Sequence, residues 1–78
     1  MGYEYVYRTT TTNDAPELSE NEYTKNEITY NPSNDGFIPE NWSDDPISIS
    51  SETPFCWMAV RQKLDGKWSS FKISLWSK

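Results

Sequence analysis

The sequence predicts an all-β chain of one domain, residues 1–78, interrupted by a long irregular loop. Three observations carry that reading. "YEYVYRTT" alternates in strand-favouring residues. "FCWMAVRQKLDGKWSSFKISLW" places an Asp-Gly pair between two further alternating stretches. Phe, Trp and Tyr make up 15% of the chain, enough large rings to favour a compact aromatic core over disorder.

Length and charge bound the function. A chain of 78 residues buries only about 60–65% of its unfolded surface, so the core is small. Twelve acidic against seven basic residues leave a net charge of −5, which disfavours non-specific attraction to nucleic acid or an anionic membrane. The charge is uneven: residues 13–52 hold ten carboxylates with Lys25 as the one cation, whereas residues 53–78 hold five cations and one acid, Asp65. Opposite poles of this kind can stack on neighbouring modules, although acidic loops around a basic strand pair are the plainer reading. Cys56 is alone, cannot form an internal disulfide, and at an alternating position reads as a small buried group. The longest apolar run falls far short of the roughly 20 residues that span a bilayer, so no membrane insertion is expected. Met1-Gly2 leads directly into strand pattern, which reads as a module excised from a larger protein.

The elements follow in order. In the opening strand Tyr3, Tyr5 and Tyr7 share one face, and Glu4, Val6 and Arg8 the other. From Thr9 to Gly36 apolar residues are too sparse for a helix face or a long strand, leaving loop with one short strand around "NEITY". "NPSNDG" and "DDP" carry turn chemistry, and "FIPENW" between them reads as an edge or irregular strand because Pro39 cannot donate to a central ladder. "ISIS" alternates again, with Ile47 and Ile49 expected to face the core. No repeat is visible within the chain.

A two-residue turn at Asp65-Gly66 pairs Leu64 with Lys67 and keeps a constant sum: Gln62 with Ser69, Val60 with Phe71, Met58 with Ile73, Cys56 with Leu75. That face is apolar away from the turn and is the expected core. The opposite face carries Lys63 with Trp68, Arg61 with Ser70, Ala59 with Lys72, Trp57 with Ser74 and Phe55 with Trp76. Cation stems there lie near indole rings, which makes Trp57, Arg61, Lys63, Trp68, Lys72 and Trp76 the expected ligand or partner surface. A slip of one residue would exchange the faces.

"YVYRTT", "GFIPENWSDDPISIS" and "PFCWMAVRQKLDGKWSSFKISLWSK" together resemble a module repeated in virion structural and tail-fibre-like proteins of phages and prophages of Bacteroides-type bacteria. The residues carrying the likeness are Tyr5 and Tyr7, Trp42 with Asp45 and Pro46, Trp57 with Arg61 and Lys63, Gly66 with Trp68, and Leu75 with Trp76. Ile47 and Ser48 follow the Asp-Pro step where that family more often has a glycine, which implies a different turn there. The hairpin is also similar to the last two strands of fibronectin type III domains. The resemblance implies a small antiparallel β-sandwich, immunoglobulin or fibronectin type III-like, in a virion or outside the cell, and in the cytoplasm during assembly.

Chemistry is sparse. The chain has no His, one Cys and no Gly-rich phosphate loop, so nucleophilic triads and common transition-metal sites lack their parts, and neither enzyme activity nor a cofactor is expected. Asp44-Asp45 with Glu40 or Asp35 could hold a hard cation, but turn and solvation duty is the preferred reading. "NWS" fits a glycosylation acceptor, yet Trp42 reads better as core. Two function classes remain: a non-enzymatic structural or spacer module packing against adjacent modules, and a carbohydrate-binding module recognising a host surface glycan through Trp57, Trp68, Trp76 and the tyrosines. Exposed coplanar indoles favour the second; buried indoles favour the first.

Overall fold

The structure, a computed structural model, describes residues 2–77. Six strands run in the order β1 (Gly2–Thr10), β2 (Tyr23–Lys25), β3 (Ile28–Tyr30), β4 (Phe55–Leu64), β5 (Lys67–Trp68) and β6 (Lys72–Ser77), with no helix among the described residues. All pairing is antiparallel and falls into two sheets. β4 is central in the larger sheet, flanked by β1 on one side and by β5 and β6 on the other. The smaller sheet is the β2–β3 hairpin.

The Asp65-Gly66 turn is as the sequence predicts. Both residues have positive φ, 52° and 77°, the geometry of a type I′ loop, and Leu64 pairs with Lys67 and Lys63 with Trp68. Beyond the turn the expected register fails. Ser69 N–H still reaches the Gln62 carbonyl at 2.8 Å, but Lys72 then pairs with Val60, Ile73 with Ala59, Ser74 with Met58 and Leu75 with Trp57. One extra residue is taken up in the unpaired stretch 69–71, so the pairs from Val60–Lys72 to Trp57–Leu75 move by one; Trp76 is then skipped, and Cys56 pairs with Ser77 rather than Leu75. Ile73 and Phe71 thereby join the face of Trp57, Ala59 and Arg61, and that face is the core. Met58 and Val60, the expected core, lie on the other side and are half-buried.

β1 supplies Val6 to the same face, opposite Ala59, and the cluster Val6, Trp42, Trp57 and Ala59 is closed by Leu18, Ile38, Phe55, Phe71 and Ile73. The layer covering the sheet is irregular chain. "FIPENW" forms no strand, yet it buries Phe37, Pro39 and Trp42. Trp42 N–H bonds the Pro39 carbonyl at 3.0 Å across a turn with Asn41 at φ 74°, and Trp42 Nε1 donates to the Glu17 carbonyl at 3.1 Å. Ser43 then exchanges two backbone hydrogen bonds with Tyr7, at 2.7 and 2.8 Å, along the outer side of β1. "ISIS" is not a strand either. Ile47 and Ile49 are exposed, because the chain there has no ladder to hold their alternation against the core.

The short strand expected around "NEITY" is β3, and a partner strand precedes it. Asn26 and Glu27 turn between them with φ 53° and 66°. The hairpin is anchored to the covering layer by Tyr23, whose ring stacks on Tyr30 at 4.8 Å, meets the edge of Phe37 at 6.2 Å, and whose hydroxyl donates to the Ile38 carbonyl. Cys56 is fully buried, as expected, although it lies on the side of Met58 and Val60 rather than on the core face.

Candidate protein-contact surface

The six residues expected on one surface are divided between the two sides of the sheet. Trp57 and Arg61 are interior, 7% and 2% exposed, because the register slip turns their face inward. Trp57 packs in the core and donates Nε1 to Thr10 Oγ1 at 2.8 Å. Neither can serve as a free contact surface.

Arg61 is held as a structural cation. Its Nε and Nη2 donate to Glu4 Oε1 at 2.9 and 2.6 Å, Nη1 donates to the Pro32 carbonyl at 2.6 Å, and Nη2 also donates to the Asn34 carbonyl at 2.9 Å. The guanidinium lies 4.3 Å from the Trp68 ring centroid, 5.1 Å from Phe71 and 5.7 Å from Phe37. A planar fork with donors in fixed directions can satisfy a carboxylate and two carbonyls while stacking on rings, which a lysine ammonium cannot. Glu4 Oε2 in turn accepts the Gly36 N–H. Loop 32–36 is thus tied to β1 and β4 by a single buried ion pair.

Lys63 and Trp68 extend the same clasp. Lys63 Nζ donates to Asp35 Oδ1 at 3.0 Å and Trp68 Nε1 to the same oxygen at 2.8 Å. The hydrogen bond from Lys63, then that from Trp68, hold the Asp35 carboxyl below its ordinary value against the opposing effect of burial. Asp35 is therefore engaged by the hairpin rather than grouped with Asp44 and Asp45. The acidic middle and the basic hairpin meet within the chain.

The other side of the sheet is open over much of its area. Tyr3 and Trp76 are 59% and 52% exposed, Tyr5 and Leu64 are also exposed, and Met58, Val60 and Gln62 lie half-buried between them. Tyr3, Val60, Gln62, Leu64 and Lys72 line an open groove of about 410 Å³. Trp76 sets its edge against Tyr7, with centroids 5.7 Å apart at 69°, and Tyr7 is itself buried. Tyr3 and Tyr5 are tilted by 46° at 6.5 Å and form no flat platform. Of the six expected residues, Lys72 and Trp76 belong to this side.

The sequence reading missed the Glu4–Arg61 pair. Its signal was present: one Glu in an aromatic strand and one Arg in the apolar run "WMAVRQ" are the residues that need each other once that face is inside.

The chain matches no protein-family model, no curated protein and no solved structure.

Proposed function

We propose that the chain is a non-enzymatic structural or spacer module of a phage or prophage virion protein, of the tail or fibre kind, which works by packing its open sheet face against neighbouring modules. The observation that carries the packing role is the face on which Tyr3, Tyr5, Leu64 and Trp76 lie exposed around half-buried Val60, in a chain with few large apolar residues to spare. Contiguous exposed apolar surface on so small a domain marks a contact site. Three of the four indoles, Trp42, Trp57 and Trp68, are buried or half-buried, which favours packing over sugar stacking. The virion setting rests on the sequence resemblance alone. The finer fold, an immunoglobulin or fibronectin type III-like sandwich, belongs to the same proposal and is supported by the uniformly antiparallel pairing and the type I′ hairpin.

The test compares the isolated chain with the intact parent protein by hydrogen exchange and side-chain labelling. Tyr3, Tyr5 and Trp76 are expected to be protected in the parent. Equal labelling in both would sink the packing role. Because Arg61 and Lys63 are paired internally, the contact should change little with salt. A second reading, stacking of a host glycan on Trp76 and the tyrosines, is favoured by their exposure. Binding on a glycan array that disappears in Trp76→Ala would replace the first reading with this one.

A further inference from the structure

We infer that the exposed segment 44–52 of one copy of this chain docks into the open groove of a second copy, head to tail, through Ile47 and Ile49. This docking rests on the packing role proposed above and identifies the surface that meets the open face.

The segment reads "DDPISISSE", with three carboxylates, no cation and two isoleucines two residues apart. Side chains at that spacing on extended backbone point the same way, so Ile47 and Ile49 can present one apolar ridge. Every residue from Asp44 to Glu52 is exposed, and none belongs to a strand. Ser50 N–H bonds the Thr53 carbonyl at 3.1 Å and closes the far end of the segment in a turn. A single exposed isoleucine is ordinary, whereas a pair flanked by carboxylates on an unladdered segment is a ridge with a polar rim.

The groove is the complement of that ridge. Tyr3, Val60 and Leu64 give it an apolar lining, and Gln62 Nε2 donates to the Tyr3 hydroxyl at 3.0 Å across it. No carboxylate lines it. Arg61, which borders it, is already paired with Glu4, and Lys67, opposite Leu64, offsets Asp65 of the turn. Lys72 is left exposed at the groove with no ion pair among the described residues. In a chain of net charge −5 this is a cationic apolar surface, and the segment is the acidic apolar one that matches it. Exposed ion pairs add little affinity and chiefly set orientation, so the contact still changes little with salt.

The two surfaces lie toward opposite ends of the sheet. Ser43 pairs with Tyr7 and Phe55 with Thr10, which places the segment beside one end, whereas Tyr3, Gln62 and Leu64 lie at the other. Ile47 and Ile49 are exposed in the chain's own fold, so the contact is between molecules. A contact between two different surfaces does not close as a two-fold dimer does; between opposite ends it extends into a row of modules.

Sedimentation of the full chain over a range of concentration tests this. The unsubstituted chain should grow past the dimer as concentration rises. Ile47→Asp with Ile49→Asp removes the ridge, and Leu64→Glu puts a carboxylate into the groove; each change should weaken association at least about tenfold, since each buries a charge against apolar side chains. All three positions are exposed, so the variants should keep the fold, which circular dichroism checks. The deciding sample is their mixture. The Leu64→Glu chain keeps its segment and the double variant keeps its groove, so together they should form a one-to-one dimer and stop there. A mixture no more associated than its components overturns the inference. So does an unsubstituted chain that halts at the dimer, or one that stays monomeric at millimolar concentration, which is what a short linker gives neighbouring modules. Those results leave the packing role standing, with a different module on the groove, if Tyr3 and Tyr5 are still protected in the parent. A mixed dimer with both tyrosines unprotected there upholds the docking and removes the packing role in the parent.

Discussion

Glu4 and Arg61 face each other across the β1–β4 ladder, and one carboxylate oxygen accepts both Nε and Nη2 of the guanidinium, at 2.9 and 2.6 Å. The Arg61 side chain is 1% exposed and that of Glu4 20%, so the pair is part of the interior of the covered face. It positions the loop that closes one side of the sheet and so leaves the other side as the available surface.

Removing one partner strands the other charge away from water. Glu4→Ala should therefore cost about 3–5 kcal/mol in urea denaturation, close to the whole stability of a domain this small. Arg61→Lys should also destabilise clearly, since an ammonium cannot reach Glu4, Pro32 and Asn34 together. An unchanged midpoint in both variants would mean that the clasp is not formed in solution.

The register makes an opposite claim about adjacent residues. Ala59 is fully buried between Val6 and Ile73, so Ala59→Leu should overpack the core and cost about 1–3 kcal/mol. Val60 lies on the open side, and Val60→Thr should be nearly neutral. If thermal melts show the reverse order, Met58 and Val60 face the core after all.

Acid should loosen the loop through Asp35. Its carboxyl is held below the ordinary value of 3.8, so the folded chain binds that proton more weakly than the unfolded one. The stabilisation is present above that ordinary value and is lost as pH falls through the lower folded one. Asp35→Asn should flatten the acid limb of a stability–pH curve; an identical limb in the variant would count against the Lys63 and Trp68 hydrogen bonds.

Alkali should act through Tyr23 with the opposite sign. Burial, then the neighbouring Tyr30 and Glu40, raise its phenol above the ordinary value near 10. The folded chain thus holds this proton more tightly, and stability falls as pH rises from about 10 through the raised value. Tyr23→Phe removes both that dependence and the bond to the Ile38 carbonyl. Ultraviolet titration of the phenolate, read alongside denaturation, checks both.

Turn geometry gives the last comparison. Gly66 at φ 77° should not tolerate valine, whereas Asp65→Asn should be nearly silent. Glu27 holds φ 66° without a glycine's freedom, so Glu27→Gly should stabilise the β2–β3 hairpin by up to about 1 kcal/mol. A loss of stability in Glu27→Gly, measured by urea midpoint, would show that its side chain matters more than its backbone.

Residue order alone determined β1, the type I′ turn at Asp65-Gly66, the turns at Asn31–Gly36 and the bend at Asp44-Asp45. In each the deciding interactions lie within a few residues: alternation, a left-handed pair, or a polar side chain bonding its own backbone, as Asn31 does with Ser33 N–H at 2.9 Å. Which face of β4 is the core was decided only in three dimensions. "FCWMAVRQKL" carries large apolar residues on both faces, its alternation favours that of Met58 and Val60 because Arg61 and Lys63 lie on the other, and the one residue absorbed between Ser69 and Phe71 brings Phe71 and Ile73 to that other face. That choice follows from what packs on the sheet. Trp57, Ala59 and Arg61 find Trp42, Val6 and Glu4 from distant segments, and the rings of Phe71 and Trp68 complete the enclosure. The surface followed from the same event: once Trp57 and Arg61 turned inward, Tyr3, Tyr5, Leu64 and Trp76 were the residues left in water.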